Sequence, residues 1–395
     1  MTKQANDVSR PPAGRINGSN GRLLSQGWNE KTRRVLERLI HRGANQNLPV
    51  VFDFDNTLVA GDLQEATLAV LTRTGRLTTA RIPATLSPPF RLPGGKRRTL
   101  AGSTDITEYY EALLEATAHG KLDTTPMASG YAWAIEVLEG LRISDVVDAT
   151  MDVCKLSRLQ SPGYIEVAPG KARYLVPTFH PEMVELVATL IRHRFDVWIV
   201  SASNVWGVRC MVQNELNTLL RQHGVRNGIR PDHIIGTSTL MKDRHDHLYK
   251  DSLLVRSNPR YAALDRKVTR HYRLTSRLQF PVPIYSGKVS CIFDAIGRPP
   301  YLCIGDSPGD LAMLAYSENR LWIAKLDESD RRHLFTRLIR TKGDGGWMLQ
   351  AISGVGRPCF VPDIGAFARG MKPMPAATRA AARQLSALSK QLRDS

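Results

Sequence analysis

Carboxylates are costly to bury, so a buried strand that ends on two of them marks a place to look for chemistry. Leu48 to Asp62, LPVVFDFDNTLVAGD, holds an apolar run from Val50 to Phe54 with Asp53 inside it, followed by Asp55, Asn56 and Thr57. A short β-branched and aromatic run of this kind reads as a buried parallel strand. Sites in open α/β sheets lie at the carboxyl ends of strands, so Asp53 and Asp55 are placed for nucleophilic or acid–base work. The plainer alternative is a turn rich in Asp and Asn. Three later stretches favour a site. DVWIVSAS, Asp196 to Ser203, is an apolar strand ending on hydroxyls; Gly287-Lys288 opens the apolar helical pattern KVSCIFDAI; and YLCIGDSPGDLAML, Tyr301 to Leu314, is an apolar strand ending on Asp306 and Asp310.

In order, DxDxT, strand–Ser, Lys and GDxxxD span residues 53 to 310. This series resembles the four motifs of the haloacid dehalogenase superfamily of phosphatases. Each motif alone is weak; the order, and the element each one starts or ends, make the signal. The resemblance implies an α/β fold with a Rossmann-like, mostly parallel sheet and an inserted helical cap. It implies Asp53 as the nucleophile that forms an aspartyl-phosphate, and Asp55 as the acid that protonates the leaving oxygen and then activates water. Mg²⁺ would be held by Asp53, Asp306 and the backbone carbonyl of Asp55. The physical need is clear: a carboxylate attacking a dianionic phosphate meets repulsion that a hard cation and a lysine must offset. Ser201, with the backbone at Ala202, is expected to hydrogen-bond the phosphoryl oxygens. Lys288 would supply fixed positive charge and tie down Asp53, Asp310 would orient Lys288 or metal-bound water, and Thr57 matches the family's threonine. Related dehalogenases and ion pumps lack a carboxylate at the position of Asp55, so its presence favours phosphatase or phosphomutase chemistry.

The 395 residues suffice for one large α/β domain with inserted modules, and 42% hydrophobic residues can fill a sizeable core. Expected boundaries are a disordered basic tail over 1–24, a catalytic core over 25–62 and 175–365, a helical cap over 63–174, a basic insertion over 239–286 and a basic tail over 366–395. The net charge of +17 is peripheral: residues 1–48, 239–288 and 366–395 carry +6, +7 and +5. Such runs are ordinarily solvated faces, and no zinc finger, Gly-rich RNA-binding signature or interleaved aromatic stripe argues for nucleic acid. The five cysteines are scattered, without CxxC spacing, which argues against zinc and against a disulfide framework. No apolar leader core and no run of membrane-spanning length is present, so the expectation is a cytoplasmic protein with a small phosphorylated substrate and no membrane partner.

Helical spacing predicts a helix from Trp28 to Arg42, one capped by Asp62, and cap helices over 106–118, 130–138 and 143–156. An amphipathic helix over 177–194 leads into the strand ending on Ser201, and another follows from Asn204 to Leu220. Residues 76–105 read as a proline-rich loop, and 239–286 has partial β-hairpin alternation in HLYKDSLLVR and HYRLTSRLQF. LWIAKL is expected to be the last sheet strand, and Ala376 to Leu392 a frayed tail helix. The Asp243–His247 cluster reads as a solvated loop.

For the ester itself, the chain resembles the phosphorylcholine phosphatase type, with the phosphoserine type and a phosphotransferase or phosphomutase as alternatives. Shared features are DNTLxxxD, YY followed by YxW in the cap, PxFxxEMxELVxxL before the second motif, and a long excursion before GKVSxI. Tyr109 and Trp133 are the leading candidates to wall a cationic head group by cation–π attraction, with Tyr110, Tyr131 and Trp206 beside them.

Overall fold

The computed structural model describes residues 21–392 except 93, 104, 119–129, 160–162, 172, 327–331, 344, 355–357 and 371–374. Seven strands form the central sheet: Pro49–Phe52 (β1), Asp196–Asn204 (β2), Ile234–Thr237 (β3), Leu302–Gly305 (β4), Asn319–Lys325 (β5), Trp347–Ser353 (β6) and Cys359–Val361 (β7). Their spatial order is β7-β6-β5-β4-β1-β2-β3, parallel throughout except for the antiparallel β6–β7 pair. From β1 the chain builds outward through β2 and β3 on one side, then returns to build β4 to β7 on the other. The order reverses beside β1, which is where such sheets open a crevice.

Strand alternation divides the core between the two faces of the sheet. Val50, Phe52, Ile199 and Ile304 pack with Leu36 and Leu39 of helix Glu30–Gly43 and with Met183 and Leu186 of helix Pro181–Arg192. Val51, Trp198 and Cys303 pack on the other face with Ile292 of helix Gly287–Ile296 and with Leu385 of helix Ala376–Gln391. Side chains buried this completely are each worth about 2 kcal/mol, which is why both faces read as continuous apolar runs.

The cap leaves the core just past β1. Asp62 caps helix Leu63–Arg73 by accepting from the Glu65 N–H at 2.9 Å. Helices Ile106–Ala118, Gly130–Glu136 and Ile143–Arg158 follow, and Val59–Ala60 pairs antiparallel with Thr178–Phe179 where the chain leaves and returns. The insertion before Lys288 is a three-stranded sheet of Thr239–Lys242, Leu248–Tyr249 and Arg273–Leu278, with short helices between the last two. Cap and insertion are joined through their backbones: Gly140 N–H donates to Leu274 O (2.9 Å), Leu274 N–H to Leu141 O (2.8 Å) and Ile143 N–H to Tyr272 O (3.1 Å).

Several expectations need correction. LWIAKL is not the last strand; β6 and β7 lie beyond it, and the Gly-rich flanks of Trp347–Ser353 hid a strand that is buried along its whole length. The C-terminal segment is no tail: Ala381, Ala382 and Leu385 bury one face of its helix against the sheet. The N-terminal boundary at residue 24 is late, because Leu23 is buried and its N–H donates to Glu37 (2.9 Å); the tail expected over residues 1–20 lies outside the described residues. In the insertion, HYRLTSRLQF does supply a strand, but DSLLVR is helical, as Asp251–Ser257, with Leu254 and Val255 packed against the core and Leu253 exposed. The Asp243–His247 cluster is a self-bonded loop in which the Asp243 carboxylate accepts from the His245 and His247 N–H groups (2.8 and 3.1 Å).

Candidate active site

At the exit of β1 the backbone curls back on itself. Leu58 and Val59 N–H both donate to Phe54 O (2.9 and 3.1 Å), and Asn56 takes a left-handed φ of 57° that asparagine tolerates. The curl points Asp53 and Asp55 into one cavity of about 340 Å³, with Asp306 and Ser307 from the β4 loop, Ala202 and Ser203 from β2, and Lys288.

Lys288 lies on the cavity floor, 3% exposed, and donates to Asp53 Oδ1 and Asp310 Oδ1, each at 2.6 Å. Burial alone would lower its ammonium, but Asp310 and Asp53 hold it well above the usual lysine range. Burial, with the Asp310 charge beside it, drives the Asp53 carboxyl upward against the pull of Lys288. Asp310 also accepts at Oδ2 from the N–H groups of Asp306 and Ser307 (3.1 and 3.0 Å), which fixes the β4 loop. Thr57, fully buried, donates to Asp306 Oδ1 at 3.3 Å. The other Asp306 oxygen faces Lys325 Nζ at 3.0 Å.

Asp55 is held separately. Its Oδ1 accepts from the Leu63 N–H (2.7 Å), and its Oδ2 from the hydroxyls of Ser203 (2.6 Å) and Ser201 (3.2 Å). Burial pushes the Asp55 carboxyl up to about 7, the Asp62 charge adds to the rise, and the three donors restrain it. The pairing of β2 with β3 slips between Val200 and Asn204, a bulge that re-aims residues 201–203. As a result Ser203, not Ser201, lines the cavity. Ser201 is fully buried and bonds Asp55 and the Ser203 N–H (3.0 Å), so the expected contact of Ser201 with substrate is not what the geometry offers. A second hydroxyl two residues on was the sequence signal for Ser203.

Asp53, Asp306 and Asp310 bring carboxylate oxygens within 4.8 Å of one another. Three hard oxygen donors at this spacing suit a small divalent cation. Asp62, Gln64 and Glu65 of the first cap turn line the opposite wall. Burial, with the Glu65 charge, raises Asp62 to about 8; burial, with the Asp55 charge, raises Glu65 to about 7.

The aromatic wall differs from the one expected. Tyr109 is fully buried, with its hydroxyl donating to Pro88 O (2.7 Å), and Trp133 Nε1 donates to Leu86 O. Both rings pack inside the cap with Tyr110 and do not line the cavity. Trp206 is likewise buried, donating to the Tyr261 hydroxyl (2.9 Å). The rings that face the cavity are Tyr131 of the cap and Tyr285 of the insertion, 6.2 Å apart edge to face. Tyr285, three residues before Lys288, gave no sequence signal, because its position depends on how the insertion returns to the core.

No family model matches the chain. A phosphorylcholine phosphatase from Pseudomonas aeruginosa is 25% identical over 314 residues, covering 75% of this chain and 80% of its own. A crystal structure of a functionally unknown protein from Anaerococcus prevotii shares the fold, with a TM-score of 0.55 at 17% identity, over 86% of this chain and 98% of that one. With four motifs in order at one end of a parallel sheet and 25% identity to the Pseudomonas phosphatase over three quarters of its sequence, the chain is similar to phosphatases of the haloacid dehalogenase type.

Proposed function

We propose that the protein is a Mg²⁺-dependent phosphomonoesterase working through an aspartyl-phosphate on Asp53. The observation that carries this reading is the pair of differently held carboxylates: Asp53 oriented by Lys288 at 2.6 Å, and Asp55 two residues on, set apart by serine hydroxyls. An Asp53 oxygen attacks phosphorus as the bond to the leaving oxygen breaks, and protonated Asp55 gives that oxygen its proton. Asp55, now a carboxylate, takes a proton from water, whose oxygen attacks phosphorus; the bond to Asp53 breaks and orthophosphate leaves. Asp53, Asp306 and the Asp55 carbonyl would hold the Mg²⁺, with Asp310 positioning Lys288. The ion's contribution is to neutralise phosphoryl charge. Thr57 holds Asp306, while Ser203 and the backbone at Ala202, with Ser201 behind them, serve the phosphoryl and Asp55 side.

For the leaving group we favour a small cationic alcohol of the choline type. Tyr131 and Tyr285 give it π faces, and the acidic side chains of Asp62 and Glu65 line the same cavity. The named substrate of the Pseudomonas relative supports the same class. The four buried cysteines, Cys154, Cys210, Cys291 and Cys303, are thiols outside any disulfide, which fits a reducing, cytoplasmic setting. Among the described residues, no helix is long and apolar enough to cross a membrane.

The test is phosphate release from phosphorylcholine, phosphoethanolamine, phosphoserine and sugar phosphates with Mg²⁺, run beside Asp53→Asn and with excess chelator. Turnover of a choline-type ester, lost in both controls, is the expected result. Activity that survives metal removal would overturn the assignment of the ion.

A further inference from the structure

The cavity is short of positive charge. Five carboxylates line it (Asp53, Asp55, Asp62, Glu65 and Asp306), against two lysines. One of these, Lys288, is already engaged by two carboxylates at 2.6 Å. The other is Lys325, which none of the four motifs includes. It closes β5 three residues beyond the Gly305–Trp322 pair, so its side chain overhangs the loop that carries Asp306. Its Nζ lies 3.0 Å from Asp306 Oδ2, and its side chain keeps 19% of its exposure against 4% for Asp306. Across the cavity its charge also bears on Glu65, whose carboxyl it pulls down. Lys325 is therefore a flexible point charge on the rim, between a candidate metal ligand and the cap.

Building on the phosphatase reading, we propose that Lys325 is a second anion-binding residue of this cavity. A divalent cation and Lys325 share Asp306, and once the cation takes that carboxylate the ammonium turns to the incoming phosphoryl group. The charges favour an exchange of this kind. A hard dication outcompetes a single ammonium for a carboxylate oxygen, and a lysine displaced a few ångströms still lies over the same anion site.

The experiment is titration calorimetry of the full chain with MgCl₂ alone, then with orthophosphate at saturating Mg²⁺. Removing the competitor in Lys325→Met should tighten Mg²⁺ binding about threefold or more and weaken orthophosphate about tenfold. Lys325→Arg should keep phosphate binding within about threefold of wild type, since its charge remains. Unchanged phosphate affinity in Lys325→Met, or weaker Mg²⁺ binding, would make Lys325 a structural strut and sink the proposal while leaving the phosphatase reading intact. A wild-type protein that binds neither ligand would overturn both. Should Lys325→Met fail to fold, wild-type acylation read by mass spectrometry decides: Mg²⁺ should raise labelling at Lys325 and added orthophosphate should suppress it, whereas indifference to both rejects the idea.

Discussion

Arg209 and Asp251 form a two-point ion pair in the interior, with contacts of 2.7 and 3.1 Å, that joins the helix after the second motif to the first helix of the insertion. Tyr261 completes it by donating to Asp251 Oδ1 at 2.7 Å. Both side chains are buried, so removing one partner strands the other. Asp251→Ala should destabilise the protein by about 3–5 kcal/mol, and Tyr261→Phe by about 1 kcal/mol, measured by denaturant unfolding. A negligible loss in Asp251→Ala would mean the insertion is held in place by its other contacts.

Substitutions at the two motif carboxylates should separate the chemical steps. Asp53→Asn should lower kcat more than about a thousandfold on every ester. Asp55→Asn should do less harm to p-nitrophenyl phosphate, whose leaving group needs little help from an acid, and phosphoryl-enzyme should then accumulate. Intact-mass spectrometry after rapid quench would detect the added phosphoryl group; its absence would argue against Asp55 as the base of the second step.

The pH profile should carry the mark of Asp55. Its carboxyl, raised to about 7 by burial, keeps a useful proton at neutral pH. Loss of that proton should bring kcat/KM for poor leaving groups down as pH climbs through about 7. The Ser203 hydroxyl stabilises the charged form, so Ser203→Ala should move this limb to higher pH. A limb that stays in place, or moves down, would assign it to another group.

Glu65 should make metal-free stability fall as pH rises. Its folded-state pKa, about 7, lies above the ordinary 4.5, so the folded form binds the proton more tightly than the unfolded one. That contribution is complete below about pH 4.5 and is lost as pH rises towards and past 7. Glu65→Gln should flatten the profile over this window by about 1–2 kcal/mol. Thermal midpoints of the two proteins between pH 5 and 8 would show it, and parallel curves would rule the effect out.

Substrate preference should follow the rings that face the cavity. Tyr131→Ala and Tyr285→Ala should each cut kcat/KM for a choline-type ester about tenfold more than for an aryl phosphate, because only the former offers a cation to the π face. Trp133→Ala, a packing change, should lower both in proportion. Equal losses at Tyr131 and Tyr285 would remove the cationic leaving group from consideration.

What the sequence revealed, and what it hid, divides along the reach of the interactions. Asp53, Asp55, Lys288, Asp306 and Asp310 were legible because each sits at the end or start of an apolar run, and local pattern fixes which end of the sheet they share. The cap helices and the Asp62 cap were legible for the same local reason. Ser203 was missed because a bulge, set by pairing with β3, reassigns which hydroxyl faces the cavity. Tyr285 and Lys325 were missed because one arrives on the return limb of the insertion and the other on a strand read only for its apolar residues. Tyr109 and Trp133 were misplaced because an aromatic residue at helical spacing fits an interior as well as a binding wall, and only tertiary contacts distinguish the two.

The backbone bridge between residues 140–143 and 272–274 bears on how such a protein can diversify or be rebuilt. A lid hung from its neck alone could be exchanged between relatives as a cassette. Here, transplanting residues 63–174 without the insertion would leave the amides of Gly140 and Ile143 without their acceptors and the Leu141 carbonyl without its donor, and would unseat Tyr131 from Tyr285. The two modules are thus one inheritable unit, and recombination of this scaffold should succeed only when its crossover points carry both across together.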